Sequence, residues 1–488
     1  MLRSNAVRLA AGLCAVLIAA ACGQKPGVAD KMALTGGLTG SGNAVLDEEG
    51  NLIDAETGEV LATAEELEES GGVLDSTTST DSSGSTSNTN SGSSDPSDPG
   101  DDTPSGPAPS GGDTTGVTDD TILLGAHAPI TGAAPVPSDS ANKGAKIYWE
   151  WLRRNNVKIH GRNVEIVLRN DNYNPSQAVA VCRQMAEEEK VFLLSGAAGT
   201  DQIQACARYA ATQGIPYLSA GVTELALTNL PTYFAVSMTY PDQQPLLVDM
   251  LKTRLGASDE KNGIVWFNTA TFKDGHDAFI AAMEDAGLSV DYDRAVSKTS
   301  GASEAQAVVT DLRLQGIENV NLLMSPVFFL QMLSAAGSQN YHPQWVAAGI
   351  QMTFDAVATA GCRSRALDGA KMFASFPAWV DSNKFDPNFR KAVREIYPEE
   401  GEGDDFMWLG WMSAKALHEM LEQVGPNLTR ERFMYELERS RNLFNGIGPH
   451  LYFTPEDHFG ADEVHVSEAK CTVDNRWHTI ETWVRDFK

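Results

Sequence analysis

The sequence has 488 residues, a net charge of −28 and 42% hydrophobic residues. An acidic excess of this size argues against nucleic acid as a partner. The length exceeds what a single hydrophobic core usually supports, so more than one compact body is expected.

At the N-terminus, Arg3 and Arg8 flank an apolar run from Leu9 to Ala21. The run is shorter than the ~20 apolar residues of a permanent span. A basic flank, a short apolar core and small residues before a break read as a secretory signal peptide over residues 1–21. Ala19-Ala20-Ala21-Cys22-Gly23 resembles the lipobox of bacterial lipoproteins, with Ala19 where that family usually has Leu. The resemblance implies cleavage before Cys22 and lipidation of that cysteine, hence an extracytoplasmic protein anchored to the cell membrane, on the cell surface or in the periplasm. An ordinary secretory signal with an incidental cysteine is the alternative. No other segment is apolar and long enough to span a bilayer.

Residues 22–116 follow as a Ser/Gly/Asp-rich linker carrying much of the negative charge. Such a composition cannot bury enough apolar surface to offset the entropy of ordering. A flexible coil of this length reaches roughly 50 Å. Within it, Leu46–Gly50 and Ile53–Leu61 have the composition of small turns or a hairpin. Of the six cysteines, Cys14 belongs to the signal and Cys22 to the lipobox. Cys182, Cys206, Cys362 and Cys471 remain, an even number in an exported chain, which points to disulfides. Three pairings are possible; Cys182–Cys206, on consecutive helices, and Cys362–Cys471 are favoured. No C-x-x-C spacing suggests zinc or redox chemistry.

From Val117 onward strands and helices alternate. Ile122–Ala126 reads as a strand, Ala141–Asn155 as a helix, Val164–Leu168 as a strand. Asn174-Pro175-Ser176-Gln177 opens a helix, with Asn174 placed to cap and Pro175 at the first helical position. Val191–Leu194 (strand), Gln202–Gln213 (helix), Ile215–Leu218 (strand) and Phe234–Met238 complete a first half. A second cycle follows: strand Gly263–Phe267, helix Gly275–Ala286, helix Ser303–Leu314 with Ser303 and Gln306 spaced as a capping box, strand Val320–Met324, helix Val327–Ala336, and strands Trp345–Ala348 and Lys371–Phe376. Helices Trp408–Val424 and Arg430–Arg439 come last. Short buried strands alternating with helices imply parallel sheets covered on both faces, α/β in class, and two runs imply two doubly wound, Rossmann-like lobes. Ligands in such folds sit beyond the C-terminal ends of the strands, which places a site in the cleft between lobes.

Three segments carry a more specific likeness: Ile122-Leu123-Leu124-Gly125 through Pro129-Ile130-Thr131-Gly132, Asn174-Pro175-Ser176-Gln177-Ala178-Val179-Ala180-Val181, and Gly214-Ile215-Pro216-Tyr217-Leu218-Ser219-Ala220-Gly221-Val222-Thr223. With Asn445-Gly446-Ile447-Gly448-Pro449 near the end, they resemble the branched-chain amino-acid-binding family of type I periplasmic binding proteins. The resemblance implies a fold of two hinged lobes, the first about 117–240 plus 366–445 and the second about 241–365 plus 446–488. It implies no catalysis and no cofactor. The expected role is the solute-binding component of an ABC importer, a monomer that traps a small polar organic ligand and presents it to permease subunits in the membrane.

Carried over by position, the resemblance implies ligand contacts at Gly199 and Thr200, where a helix N-terminus receives a carboxylate, and at Ser219, Gly221 and Thr223. In the second lobe it implies Phe272, where relatives have tyrosine, Phe328, and Gln351. Amino-acid-binding relatives place a carboxylate near this last position to pair the ammonium; Gln351 cannot do so, and Asp355 is the nearest acid. A keto acid, amide or other organic acid therefore fits as well as an amino acid. Trp379 is a further candidate for the cleft wall, with a core position as the alternative.

An enzyme is disfavoured: there is no nucleophile elbow, phosphate loop or H-E-x-x-H motif. His458, Asp462 and His465 lie close in sequence, but surface positions on a turn and strand are expected rather than a metal site. A lipoprotein receptor of the same fold, sensing a ligand rather than delivering it, is the alternative function.

Overall fold

In a computed structural model of the chain, residues 44–46, 52–54, 60–62, 109, 111–131, 137–196, 199–219, 227–228, 230–349, 352–440 and 442–487 are described. The chain divides into two units, 1–99 and 100–488. In the first, β1 (Ala44–Leu46), β2 (Leu52–Asp54) and β3 (Val60–Ala62) form an antiparallel meander. The expected linker thus carries a small sheet made from its few apolar triplets. Cys22 lies outside the described residues.

The second unit contains two sheets. The first joins β4 (Thr121–Ala128), β5 (Asn163–Asn170), β6 (Leu193–Gly196), β7 (Tyr217–Ser219) and β8 (Tyr233–Ala235) in the order β5-β4-β6-β7-β8, all parallel. Helices α1 (Ser138–Arg154), α2 (Pro175–Glu187) and α3 (Thr200–Thr212) make the crossovers. Asn174 caps α2, its side chain accepting from the Gln177 N–H, with Pro175 at the first position as the sequence indicates.

The second sheet joins β9 (Asn262–Phe267), β10 (Tyr292–Val296), β11 (Asn319–Leu323), β12 (Gln344–Ala347), β13 (Lys371–Ala374), β14 (Val464–Lys470) and β15 (Arg476–Val484). Its order is β10-β9-β11-β12-β13-β14-β15, parallel up to β13 and antiparallel beyond. With it go α4 (Tyr240–Arg254), α5 (Ala270–Asp285), α6 (Ala302–Gln315), α7 (Pro326–Ser338) and α8 (Asp355–Gly361). The capping box at Ser303 is not used: α6 starts one residue earlier, after Gly301, without a side-chain cap.

The chain then returns to the first lobe through α9 (Ser382–Phe385), α10 (Asn388–Ile396), α11 (Asp405–Val424) and α12 (Arg430–Leu437). One core cluster joins the α1 and α11 side of the first sheet, including Ile122, Ile147, Trp408 and Trp411. On the other face α2 and α3 bury Cys182, Met185, Ile203 and Cys206. Helices α1 and α11 touch backbone to backbone. A Cβ at Gly410 would collide with the Ala141 carbonyl oxygen, and one at Gly144 with that of Met407.

The crossings between lobes fall later than the sequence suggests. β13 belongs to the second sheet, so the chain leaves that lobe after Ala374 rather than near 366. Residues 446–461 stay with the first lobe: Phe459 bridges Ala235 on β8, and Leu451 bridges both Leu443 and Ala461. The last crossing lies just before β14, not at 446. The favoured cysteine pairs are the ones joined, Cys182–Cys206 and Cys362–Cys471.

Candidate functional site

In parallel sheets each helix begins where a strand ends, so the strand ends of both lobes carry the loops and helix N-termini open to a ligand. The two sets meet. The Ser140 hydroxyl, at the start of α1, donates to the Asp404 carboxylate at the start of α11 (2.5 Å). This places the α11 N-terminus at the ligand end of the first lobe. Phe406 on α11 stacks on Phe354, which directly precedes α8 in the second lobe, with ring centroids 4.1 Å apart and planes 8° from parallel. Beside the stack, the Asp355 N–H donates to Asp405 Oδ2 at 2.6 Å.

The first-lobe edge is organised by Asn170 at the end of β5. Its Oδ1 accepts from the N–H groups of Ile130 (3.0 Å), Thr131 (3.3 Å) and Asn172 (3.0 Å). Its amide nitrogen donates to Thr131 Oγ1 and Asn172 Oδ1. The chain then turns through two left-handed residues, Asn172 and Tyr173, which leaves the Tyr173 ring 41% exposed. Beneath this rim lies a buried chain. Asp171 Oδ2 is 2.8 Å from His127 Nδ1, and His127 Nε2 is 2.7 Å from the Tyr217 hydroxyl. The carboxylate fixes the ring proton on Nδ1, so Nε2 accepts from Tyr217. Burial pushes the Tyr217 hydroxyl well up, keeping it a donor. A Cβ at Gly196 would strike both partners, so this chain sets how closely the end of β6 can approach. A His127 nitrogen also lies near both sulfurs of the Cys182–Cys206 disulfide; bonded to each other, these sulfurs are not metal ligands.

Gly199 and Thr200 take the expected place at the start of α3. Gly199 is the N-cap residue at φ +85°, with no side-chain cap, and Thr200 is the first residue of the helix. Ser219 ends β7, buried, its carbonyl accepting from the Val236 N–H. Phe272 lies in the first turn of α5, half-buried, its ring centroid 5.2 Å from that of Tyr240. Phe328 differs from expectation: it is 2% exposed and packs on Phe267 in the second-lobe core. Its place in the first turn of α7, behind the Ser325 cap, turns the ring inward. Gly221, Thr223 and Gln351 lie outside the described residues.

Asp355 is committed to Arg476, its Oδ2 2.6 Å from the guanidinium. Trp379 is flanked by Arg390 and Arg476, whose guanidinium carbons lie 4.2 and 4.5 Å from the indole. His458, Asp462 and His465 do not converge. His458 is stacked on Phe234 and bonded to the Tyr233 carbonyl, His465 is packed among Phe385 and Trp483, and Asp462 pairs with Arg485. Both histidines are buried, not on the surface. Asn170, Phe354, Asp405 and Phe406 were not singled out in the sequence. Asn170 had a usable signal in Asn170-Asp171-Asn172 directly after a strand, a run that favours side-chain-to-backbone turns. The other three meet only in the fold.

Among the described residues, no helix is long and apolar enough to cross a membrane. The chain resembles several solved structures. One is a fatty acid ABC transporter substrate-binding protein from Thermomonospora curvata, with 20% identity, a TM-score of 0.64, and 77% of this chain and 95% of that one covered. Another is a branched chain amino acid ABC transporter from Thermus thermophilus with bound valine, with 17% identity, a TM-score of 0.62, and 75% and 97% covered. A third is an ABC transporter solute binding protein from R. palustris in complex with benzoate, with 17% identity, a TM-score of 0.58, and 75% and 96% covered. These similarities concern the fold. A search of curated proteins finds no match. The sequence profile of the periplasmic binding protein family matches residues 121–474, which include every strand of the first sheet and most of the second, and the chain belongs to that family.

Proposed function

We propose that the protein is the extracytoplasmic solute-binding component of an ABC importer, non-enzymatic and lipid-anchored through Cys22. It holds a small organic ligand between its lobes and presents the closed form to a permease. The observation that carries this reading is the family match across both lobes, together with strand ends that meet at a common cleft.

The ligand class follows from two features of the cleft. The start of α3 offers backbone N–H groups that no cap side chain occupies, a setting suited to a carboxylate. The acid nearest to Gln351 in sequence, Asp355, already pairs with Arg476. An organic acid without a paired ammonium, such as a keto acid or an aromatic or aliphatic carboxylate, fits this arrangement better than an α-amino acid.

A thermal-shift screen of the protein freed of bound ligand, against amino acids, amides, keto acids and aromatic and fatty acids, tests both parts. A ligand that binds only the native state raises Tm with concentration. A shift with carboxylates and none with their α-amino counterparts supports the assignment. A larger shift with an α-amino acid overturns the ligand class, and no shift with any compound counts against the binding role. For the anchor, Cys22→Ala is expected to release the protein from the membrane fraction; unchanged attachment rules out lipidation there.

A further inference from the structure

The contact between Phe354-Asp355 and Asp405-Phe406 is made by protein groups alone, yet it joins the two lobes. Asp355 begins α8, which packs on α7 and β15 in the second lobe; Asp405 begins α11, which packs on α1 in the first. A rotation that moves α8 away from the start of α11 separates the stacked rings and breaks the hydrogen bond from the Asp355 N–H to Asp405. Each lobe supports its half. In the first, Asp404 caps α11 through the Met407 N–H (2.7 Å) and is held by Ser140. In the second, Arg476 grips Asp355 and lies against Trp379 in the crossing segment, with Arg390 of the first lobe against the same indole.

We propose that Phe354, Asp355, Asp405 and Phe406 form an inter-lobe latch that biases the protein toward the closed cleft independently of ligand contacts. The proposal rests on the two-lobe binding reading but concerns the lobes themselves. Face-to-face rings and a hydrogen bond sheltered beside them favour closure, and the ligand then needs to supply only the remaining difference between open and closed forms.

Asp405 makes the latch sensitive to pH. Its carboxyl is 8% exposed in the closed contact. The charged groups facing it are Asp355 across the lobes, with Arg476 behind it, and Asp404 on its own helix. Burial, helped by the neighbouring carboxylates, pushes its pKa up to about 6, against the Asp355 and Phe406 N–H groups, which hold it down. Opening hydrates the carboxyl and returns it toward the ordinary 3.8. The closed form therefore binds the proton more tightly. The bias toward closure is fullest below about 3.8 and is lost as pH rises from there through about 6, by roughly a hundredfold in the closed-to-open ratio overall, with about tenfold of that loss above pH 5.

The test needs no ligand. Spin labels are attached by bio-orthogonal chemistry at the exposed positions Val157 in the first lobe and Leu314 in the second, in the full chain. Electron–electron double resonance then reads the interlobe distance at pH 5 and pH 8. The wild type is expected to show a short distance at pH 5 and a growing longer component at pH 8. Asp405→Asn, which cannot ionise but keeps an acceptor oxygen, is expected to hold the short distance at both. Phe406→Ala is expected to show the longer component at both, with its circular dichroism unchanged. A Phe406→Ala distribution matching the wild type at both pH values overturns the latch. A wild-type distribution that does not change with pH, or changes equally in Asp405→Asn, overturns the part assigned to Asp405. Neither outcome depends on the ligand screen, so the latch and the binding role fail separately.

Discussion

The first lobe ties its strand ends together through a side-chain amide, the second through packed rings. The Asn170 Oδ1 gathers three N–H groups, while Phe272 packs on Tyr240 and Phe354 stacks across the lobes on Phe406. The covalent stapling differs as well. Cys182–Cys206 spans 24 residues and joins neighbouring helices, whereas Cys362–Cys471 spans 109 and ties the end of α8 to the end of β14.

Cross-links act largely by restricting the unfolded chain, more so for longer loops. Cys362→Ser with Cys471→Ser is therefore expected to have the largest effect, a loss of about 5 kcal/mol, and Cys182→Ser with Cys206→Ser a loss of about 3.5 kcal/mol. Urea unfolding of the two double variants, followed by tryptophan fluorescence, measures both. Equal losses would erase this contrast between the lobes.

The alternation of strand and helix was legible because the strands are short and apolar and helices such as α2 announce their start with Asn174-Pro175. Less legible was α4, which is not among the helices expected from the sequence: Pro241 stands in its first turn and Pro245 lies inside it, which obscures the helical pattern. The crossings were misplaced because Lys371–Ala374 and residues 446–461 are apolar enough for either lobe; only pairing with β12 and β8 assigns them. At the candidate site, the start of α3 at Gly199 and Thr200 was legible because a helix start has a local signature; their contact with a ligand belongs to the proposed function. Phe328 was not separable from a cleft residue, since an aromatic in a first turn can face either way. The Phe354–Phe406 stack joins residues 52 positions apart on different lobes, which no local pattern shows.

A smaller effect distinguishes the lobes by pH. His465, on β14 of the second lobe, is wholly buried, and burial pushes its pKa down from 6.5 to about 4. As pH falls below 6.5 the unfolded chain takes up a proton that the folded one refuses. Stability present at neutral pH is lost between about 6.5 and 4, by at most about 3 kcal/mol. His465→Leu is expected to remove that share of the acid sensitivity, read as the change in urea midpoint between pH 7 and pH 4.5. An unchanged slope would place the sensitivity elsewhere.

The smallest expected effect concerns capping. Asn174→Ala removes the bond to the Gln177 N–H and is expected to cost about 1 kcal/mol, whereas Thr269→Ala, ahead of α5, removes no cap bond. Paired thermal melts check the difference; equal losses would show that Thr269 matters in some other way.

The return of residues 446–461 to the first lobe also shields a sheet margin. β8 is the last strand of its sheet, and a bare outer strand invites pairing with another molecule. Here the Ala235 N–H donates to the His458 carbonyl, and the Gly460 N–H to the Ala235 carbonyl. With both backbone groups of that residue already satisfied, the margin offers little template for a foreign strand, a safeguard against edge-to-edge self-association.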